Sequence, residues 1–143
     1  INGLDPNGWT YIPSGLSLAW AALSPQAPFS EGIPYEDLAD LNGTKALLLM
    51  TDGENTRAPD YPTHNATNEL LANDLTTEIC ANIKKEKIVV YTIAFEVSDT
   101  TVREVLEDCA STPGNYFNAT DRAALLDAFT SIAGSLREIS LSK

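Results

Sequence analysis

At 143 residues and 43% hydrophobic content the chain has the make-up of one globular domain, long enough to bury roughly two-thirds of its unfolded surface. A formal net charge of −11 argues against nucleic acid or anionic lipid as the main partner and suits cations or basic surfaces. No apolar run approaches the roughly 18 residues of a membrane span, no basic-then-apolar leader opens the chain, and two cysteines make neither a disulfide scaffold nor a zinc cluster.

In chain order, Pro13 suits the first turn of a helix whose body is "SGLSLAWAAL". "ALLLM" at Ala46–Met50 is short and apolar throughout, the pattern of a strand covered on both faces. It stops at "TDGEN", where Asp-Gly is common turn chemistry. Leu71, Leu75, Ile79 and Ile83 recur at four-residue steps and predict the inner stripe of a helix. "IVVYTIAF" at Ile88–Phe95 predicts a second buried strand, so strand, helix and strand form a βαβ crossover. Val102, Val105, Leu106 and Cys109 predict another helix, with Thr101 and Glu104 spaced as a capping box. "NYFNA" at Asn115–Ala119 reads as a third strand. A last helix from about Asp121 turns Leu125, Phe129, Ile132 and Leu136 inward.

The pattern predicts an α/β fold: a doubly wound, Rossmann-like, mostly parallel sheet with helices on both faces. Such sheets bind ligands at the carboxyl ends of their strands, which is where Asp52 falls. Thr10, in "GWTYIPSGL", places a hydroxyl in a loop just ahead of a helix. A carboxylate and a hydroxyl are hard oxygen donors of the kind that Mg²⁺, Mn²⁺ or Ca²⁺ take. Gly53 is expected to permit a tight turn beside Asp52. Glu54 and Asn55 either tune the field there or complete the turn, and Trp9 either rims the site or covers the helix. His64 stands alone in a polar loop without a Gly-x-Ser-x-Gly elbow, and no Gly-x-Gly-x-x-Gly or Gly-Lys-Ser/Thr motif supports nucleotide binding.

Thr10 and Asp52, in this order and within this pattern, resemble the von Willebrand factor type A domain. That family carries a metal-ion-dependent adhesion site built from an Asp-x-Ser-x-Ser loop, a Thr in a later loop, and an Asp at a strand end, commonly within Thr-Asp-Gly. Thr10 matches the second element and Asp52 the third. No Asp-x-Ser-x-Ser occurs in the sequence and no strand is expected before Thr10. Residues 1–143 therefore read as a single, partial domain lacking the amino-terminal strands, with weak or absent metal affinity. An exposed central strand edge would leave the chain poorly soluble, or paired with its missing amino-terminal part or with another chain.

"GLSLAWAALSPQAPFSEG", "TDGENT", "EICANIKKEKIVVYTIAF" and "LEDCASTPGNYFNAT" are similar to the carboxyl-terminal region of TadG-like proteins of tight-adherence (Flp) pilus assembly. This resemblance implies a bacterial cell-envelope protein, anchored through an absent amino-terminal segment and facing the periplasm or beyond. It implies adhesion or pilus assembly without enzymatic turnover, a partner protein's acidic side chain completing the coordination of Mg²⁺ or Mn²⁺. Two other readings stand beside it: a structural envelope domain without metal, and a metal-dependent hydrolase needing a second acid or base such as Glu54. Cys80 and Cys109 form a disulfide if their helices share one face of the sheet and the compartment is oxidising; otherwise they are two small buried thiols.

Overall fold

The computed structural model describes residues 9–41, 43–56 and 69–141, with side chains as far as Arg137. The elements are α1 (Ile12–Leu23), β1 (Ala46–Thr51), α2 (Glu69–Lys85), β2 (Val89–Phe95), α3 (Thr100–Cys109), β3 (Tyr116–Ala119) and α4 (Arg122–Leu141), with a short 3₁₀ turn at Pro113–Asn115 before β3. The three strands lie in the order β1-β2-β3, all parallel. Parallel neighbours require crossovers, and α2 and α3 supply them. This is the α/β architecture expected from the alternating pattern, von Willebrand factor A-like in its arrangement.

The register sorts every strand residue onto one of two faces. Leu47 sits beside Val90 and Leu49 beside Thr92, while Leu48 sits beside Tyr91 and Met50 beside Ile93. Leu47 and Val90 pack with Ile12, Leu16, Cys80, Ile83 and Cys109, so α1, α2 and α3 cover the first face. Ala94 on that face meets Val97, Val102 and Leu106. On the second face Tyr91, Ile93 and Ala119 pack against Ala128 and Ile132 of α4. The Tyr91 hydroxyl lies 2.9 Å from Ser135 Oγ, pinning α4 over β2 and β3. Helices therefore flank both faces, three on one and one on the other.

Cross-links concentrate on the three-helix face. Cys80 and Cys109 are joined in a disulfide with 5.1 Å between their Cα atoms, and both are fully buried. Beside it, Lys84 Nζ donates to the carbonyls of Asp108 (2.6 Å) and Ala110 (3.2 Å), tying the carboxyl ends of α2 and α3 together. Lys45, only 8% exposed, donates its ammonium to the Leu23 carbonyl at the end of α1 and rests 4.0 Å from the Tyr35 ring centroid. A cation is favoured there because the last carbonyls of a helix lack partners and carry its negative dipole end. β3 pairs only with Thr92–Phe95. Lower on β2, Ser111 takes over: its Oγ accepts from Val90 N–H at 2.8 Å, and its own N–H donates to the Val90 carbonyl at 2.9 Å.

Three local expectations are corrected. The inner stripe of α2 is Ala72, Thr76, Cys80 and Ile83; of the expected Leu71, Leu75, Ile79 and Ile83, Ile83 lies on it and Ile79 packs partly against the same core, whereas Leu71 is exposed, and Leu75 with Ile79 lines a groove of about 350 Å³ against Tyr11, Pro13, Ser14 and Ser17. The helix is turned by one position because Thr76 has a buried hydrogen-bond partner and Cys80 a covalent one. On α4, Ala128 and Ile132 face the sheet while Phe129 and Leu136 are exposed. The cap of α3 is Asp99, whose carboxylate accepts from Val102 N–H at 2.9 Å, and not Thr101, which lies inside the helix.

Candidate functional site

Loops at the carboxyl ends of parallel strands gather at one rim, since every crossover helix must carry the chain back to the opposite edge. β1 ends at Thr51, and the chain turns through Asp52 and Gly53 into Glu54, Asn55 and Thr56. The Thr51 hydroxyl closes that turn, donating to the Gly53 carbonyl at 2.9 Å and lying 3.3 Å from the Gly53 N–H. Gly53 itself does not adopt the left-handed φ range, and a Cβ there would meet nothing within 4 Å. The expected glycine requirement is therefore absent, because the threonine side chain does the work of holding the turn.

Thr10 lies 41 residues before Thr51 in sequence and yet is bound to the same loop. Thr10 N–H donates to Thr56 Oγ1 at 2.7 Å, and Thr56 N–H donates back to the Thr10 carbonyl at 2.9 Å. Ile12 N–H donates to Asn55 Oδ1 at 2.8 Å. Asn55, 1% exposed, donates in turn to Asn73 Oδ1 (2.9 Å) and Thr76 Oγ1 (3.3 Å) on α2. The loop bearing Asp52, the loop bearing Thr10 and the first turns of α2 are thus one hydrogen-bonded assembly.

Asp52 and Thr10 are both exposed on this assembly, and no described residue hydrogen-bonds the Asp52 carboxylate. A carboxylate and a hydroxyl are oxygen donors of the kind that hard divalent cations take, and the two loops that bear them are cross-braced. No group of three His, Cys, Asp or Glu side chains able to hold an ion occurs among the described residues. Glu54 is exposed beside Asp52, and His64 lies outside the described residues. Trp9, next to Thr10 in sequence, is 61% exposed.

Two features near this rim carry no local signal in the sequence. Asn55 reads there as field or turn chemistry, and its burial depends on partners that lie on separate helices. Glu96, just after β2, has φ 55°, a left-handed conformation that residues other than glycine rarely adopt, and its N–H donates to the Ala119 carbonyl at 2.8 Å. Nothing local marks it.

Comparison with known proteins finds no matching family model and no matching curated protein. Among solved structures, the chain is similar to the pilus adhesin SpaC from Lactobacillus rhamnosus GG, with a TM-score of 0.63 and 13% identity over 96% of this chain. It is also similar to proximal thread matrix protein 1 from the mussel byssus, solved with a zinc-occupied MIDAS motif, with a TM-score of 0.50 and 18% identity over 99% of this chain. The match spans 20% of the adhesin chain and 27% of the byssus protein. At such identities the likeness shows the fold.

Proposed function

We propose that this domain is a non-enzymatic binding module, in which Thr10 and Asp52 contribute to a metal-ion-dependent adhesion site for an acidic side chain of a partner protein. What carries this is the bracket between Thr10 and Thr56, which brings a hydroxyl-bearing loop and a carboxylate-bearing loop, distant in sequence, to one rim of a parallel sheet. Asp52 supplies a single negative charge and Thr10 a neutral oxygen. A divalent ion bound there, Mg²⁺ or Mn²⁺ with Ca²⁺ as the larger alternative, would keep net positive charge and open positions for a carboxylate. Two protein donors cover only a third of the roughly six positions such ions prefer, so affinity in this chain is weak unless another segment adds ligands.

The setting proposed is the periplasmic or outer side of a bacterial envelope, in pilus assembly or surface attachment of the tight-adherence kind. The buried Cys80–Cys109 bridge supports an oxidising compartment, and the pilus adhesin among the structural neighbours supports an adhesive role. β1 is the edge of the described sheet, and Leu48 (41% exposed) and Met50 (47%) lie uncovered on the face that α4 only partly spans. This edge is where the domain's own amino-terminal part, or another chain, would add a strand.

Calorimetric titration of the native-length protein with Mg²⁺ and Mn²⁺, alongside Asp52→Ala, tests the proposal. The expected result is binding that Asp52→Ala abolishes. A heat signal equal in both proteins places the ion elsewhere. No signal in either favours a metal-free structural role, for which the Thr51-closed turn is already sufficient. Turnover of an ester or phosphoester that is lost in Asp52→Ala would instead make the site hydrolytic.

A further inference from the structure

We infer that Asn55 is the positioning residue of this site: its buried amide holds the Thr10 segment in place against the Asp52 loop before any ion arrives. The inference rests on the metal-site proposal for its consequence, but not for its geometry. α1 begins without a side-chain cap of its own, since Tyr11 at the cap position makes no such bond. The first N–H groups of a helix have no intrahelical partner, and one left buried and unpaired would be costly. Asn55 Oδ1 accepts the Ile12 N–H from 43 residues away, doing the work usually given to an adjacent Ser, Thr, Asp or Asn.

The amide can face only one way. Its oxygen must meet the Ile12 N–H, which leaves its NH₂ for the side-chain oxygen Oδ1 of Asn73 and the Thr76 hydroxyl, both of them buried acceptors. Asn73 and Thr76 in turn are fixed on one face of α2, and the Thr76 hydroxyl donates to the Ala72 carbonyl at 2.7 Å. The amide therefore joins three elements: the loop after β1, the start of α1 and the body of α2. Thr56, the next residue, adds its own bonds to Thr10. Asp52 sits three residues ahead of Asn55 on the same short loop, so fixing Asn55 also limits where the carboxylate can go. Pre-organised ligands bind more tightly because less freedom is lost on binding.

The test compares Asn55→Ala with Thr76→Val, which removes a buried hydroxyl from the same network but leaves the Ile12–Asn55–Asn73 bonds intact. Amide hydrogen exchange at Thr10 and Ile12 is followed by NMR in the metal-free protein, and Mn²⁺ affinity by electron paramagnetic resonance. Asn55→Ala is expected to speed exchange at Ile12 and Thr10 beyond the change in global stability and to weaken Mn²⁺ binding about tenfold, the loss of roughly one hydrogen bond's worth of ordering. Thr76→Val is expected to lower stability and leave both site readouts near wild type. Equal weakening of Mn²⁺ binding by the two variants, or an Ile12 amide still protected in Asn55→Ala, overturns the inference. Should Asn55→Ala fail to fold, Asn55→Ser, too short to reach Ile12, takes its place with the same expectations. A wild-type protein that binds no Mn²⁺ removes the metal-site proposal, and the exchange data then decide the positioning role on their own.

Discussion

The two faces of the sheet are finished to different degrees. On the first, three helices seal Leu47, Val90 and Ala94 under Leu16, Ile83 and Leu106, and a disulfide, Lys84 and Lys45 brace the seal. On the second, among the described residues, α4 alone covers β2 and β3, and β1, the edge of the described sheet, presents Leu48 and Met50 to solvent. Parallel sheets are normally covered on both sides, because their strands are apolar on both. The contrast shows that one run, "ALLLM", divides by alternation: Leu47 and Leu49 face the three-helix core, while Leu48 and Met50 face solvent. The same holds for α4, whose exposed Leu126, Phe129 and Leu136 lie outside its sheet-facing stripe.

The sharpest way to break the contrast is to open the finished face. Reducing the Cys80–Cys109 bridge, or making Cys109→Ser, releases a loop of 29-residue separation and is expected to cost about 3–4 kcal/mol in denaturant unfolding. A loss under about 1 kcal/mol would mean that the three-helix face is held by packing alone.

Next in size is a pair of truncations matched in chemistry and opposite in face. Leu16→Ala, at a fully buried position, is expected to cost about 3 kcal/mol by the usual range for core leucines. Leu48→Ala is expected to cost well under half of that, about 1 kcal/mol or less, since much of its surface already meets water. Leu48→Asn combined with Met50→Gln should reduce self-association in analytical ultracentrifugation with little change in unfolding midpoint. Equal costs for Leu16→Ala and Leu48→Ala would show that β1 is covered in solution, with a second copy as the first suspect.

What the sequence disclosed follows the same division. The strands were legible because "ALLLM" and "IVVYTIAF" are too apolar and too β-branched for a surface, and α3 because Val102, Leu106 and Cys109 keep helical spacing. The inner faces of α2 and α4 depart from the apolar spacing for one reason. Periodicity locates large apolar residues, yet the buried positions include Ala72, Thr76 and Ala128, which are small enough to let the helices approach their neighbours closely. The larger Leu71 and Phe129 point aside. At the site, Thr10 and Asp52 could be singled out as oxygen donors, but what connects their loops could not. Asn55, Asn73 and Thr76 look like ordinary polar residues until the fold brings them within hydrogen-bond reach of one another.

The smallest expected effect concerns the turn next to Asp52, and it separates two accounts of why that turn is tight. If glycine's freedom were needed, Gly53→Ala would destabilise by more than about 1 kcal/mol, as substitutions at positive φ do. The structure gives Gly53 ordinary φ and open space around its Cα, with the Thr51 hydroxyl closing the turn. Gly53→Ala should then be neutral, or stabilising by about 0.5 kcal/mol through lost freedom in the unfolded chain. Thr51→Val, which keeps the shape and removes the hydroxyl, should cost about 1 kcal/mol. Gly32 provides the contrast, because a Cβ there would fall 2.5 Å from the Ser24 carbonyl oxygen, so Gly32→Ala must displace backbone. Chemical denaturation of the three variants side by side reads the order directly: Gly32→Ala the least stable, Thr51→Val between, and Gly53→Ala at or above wild type.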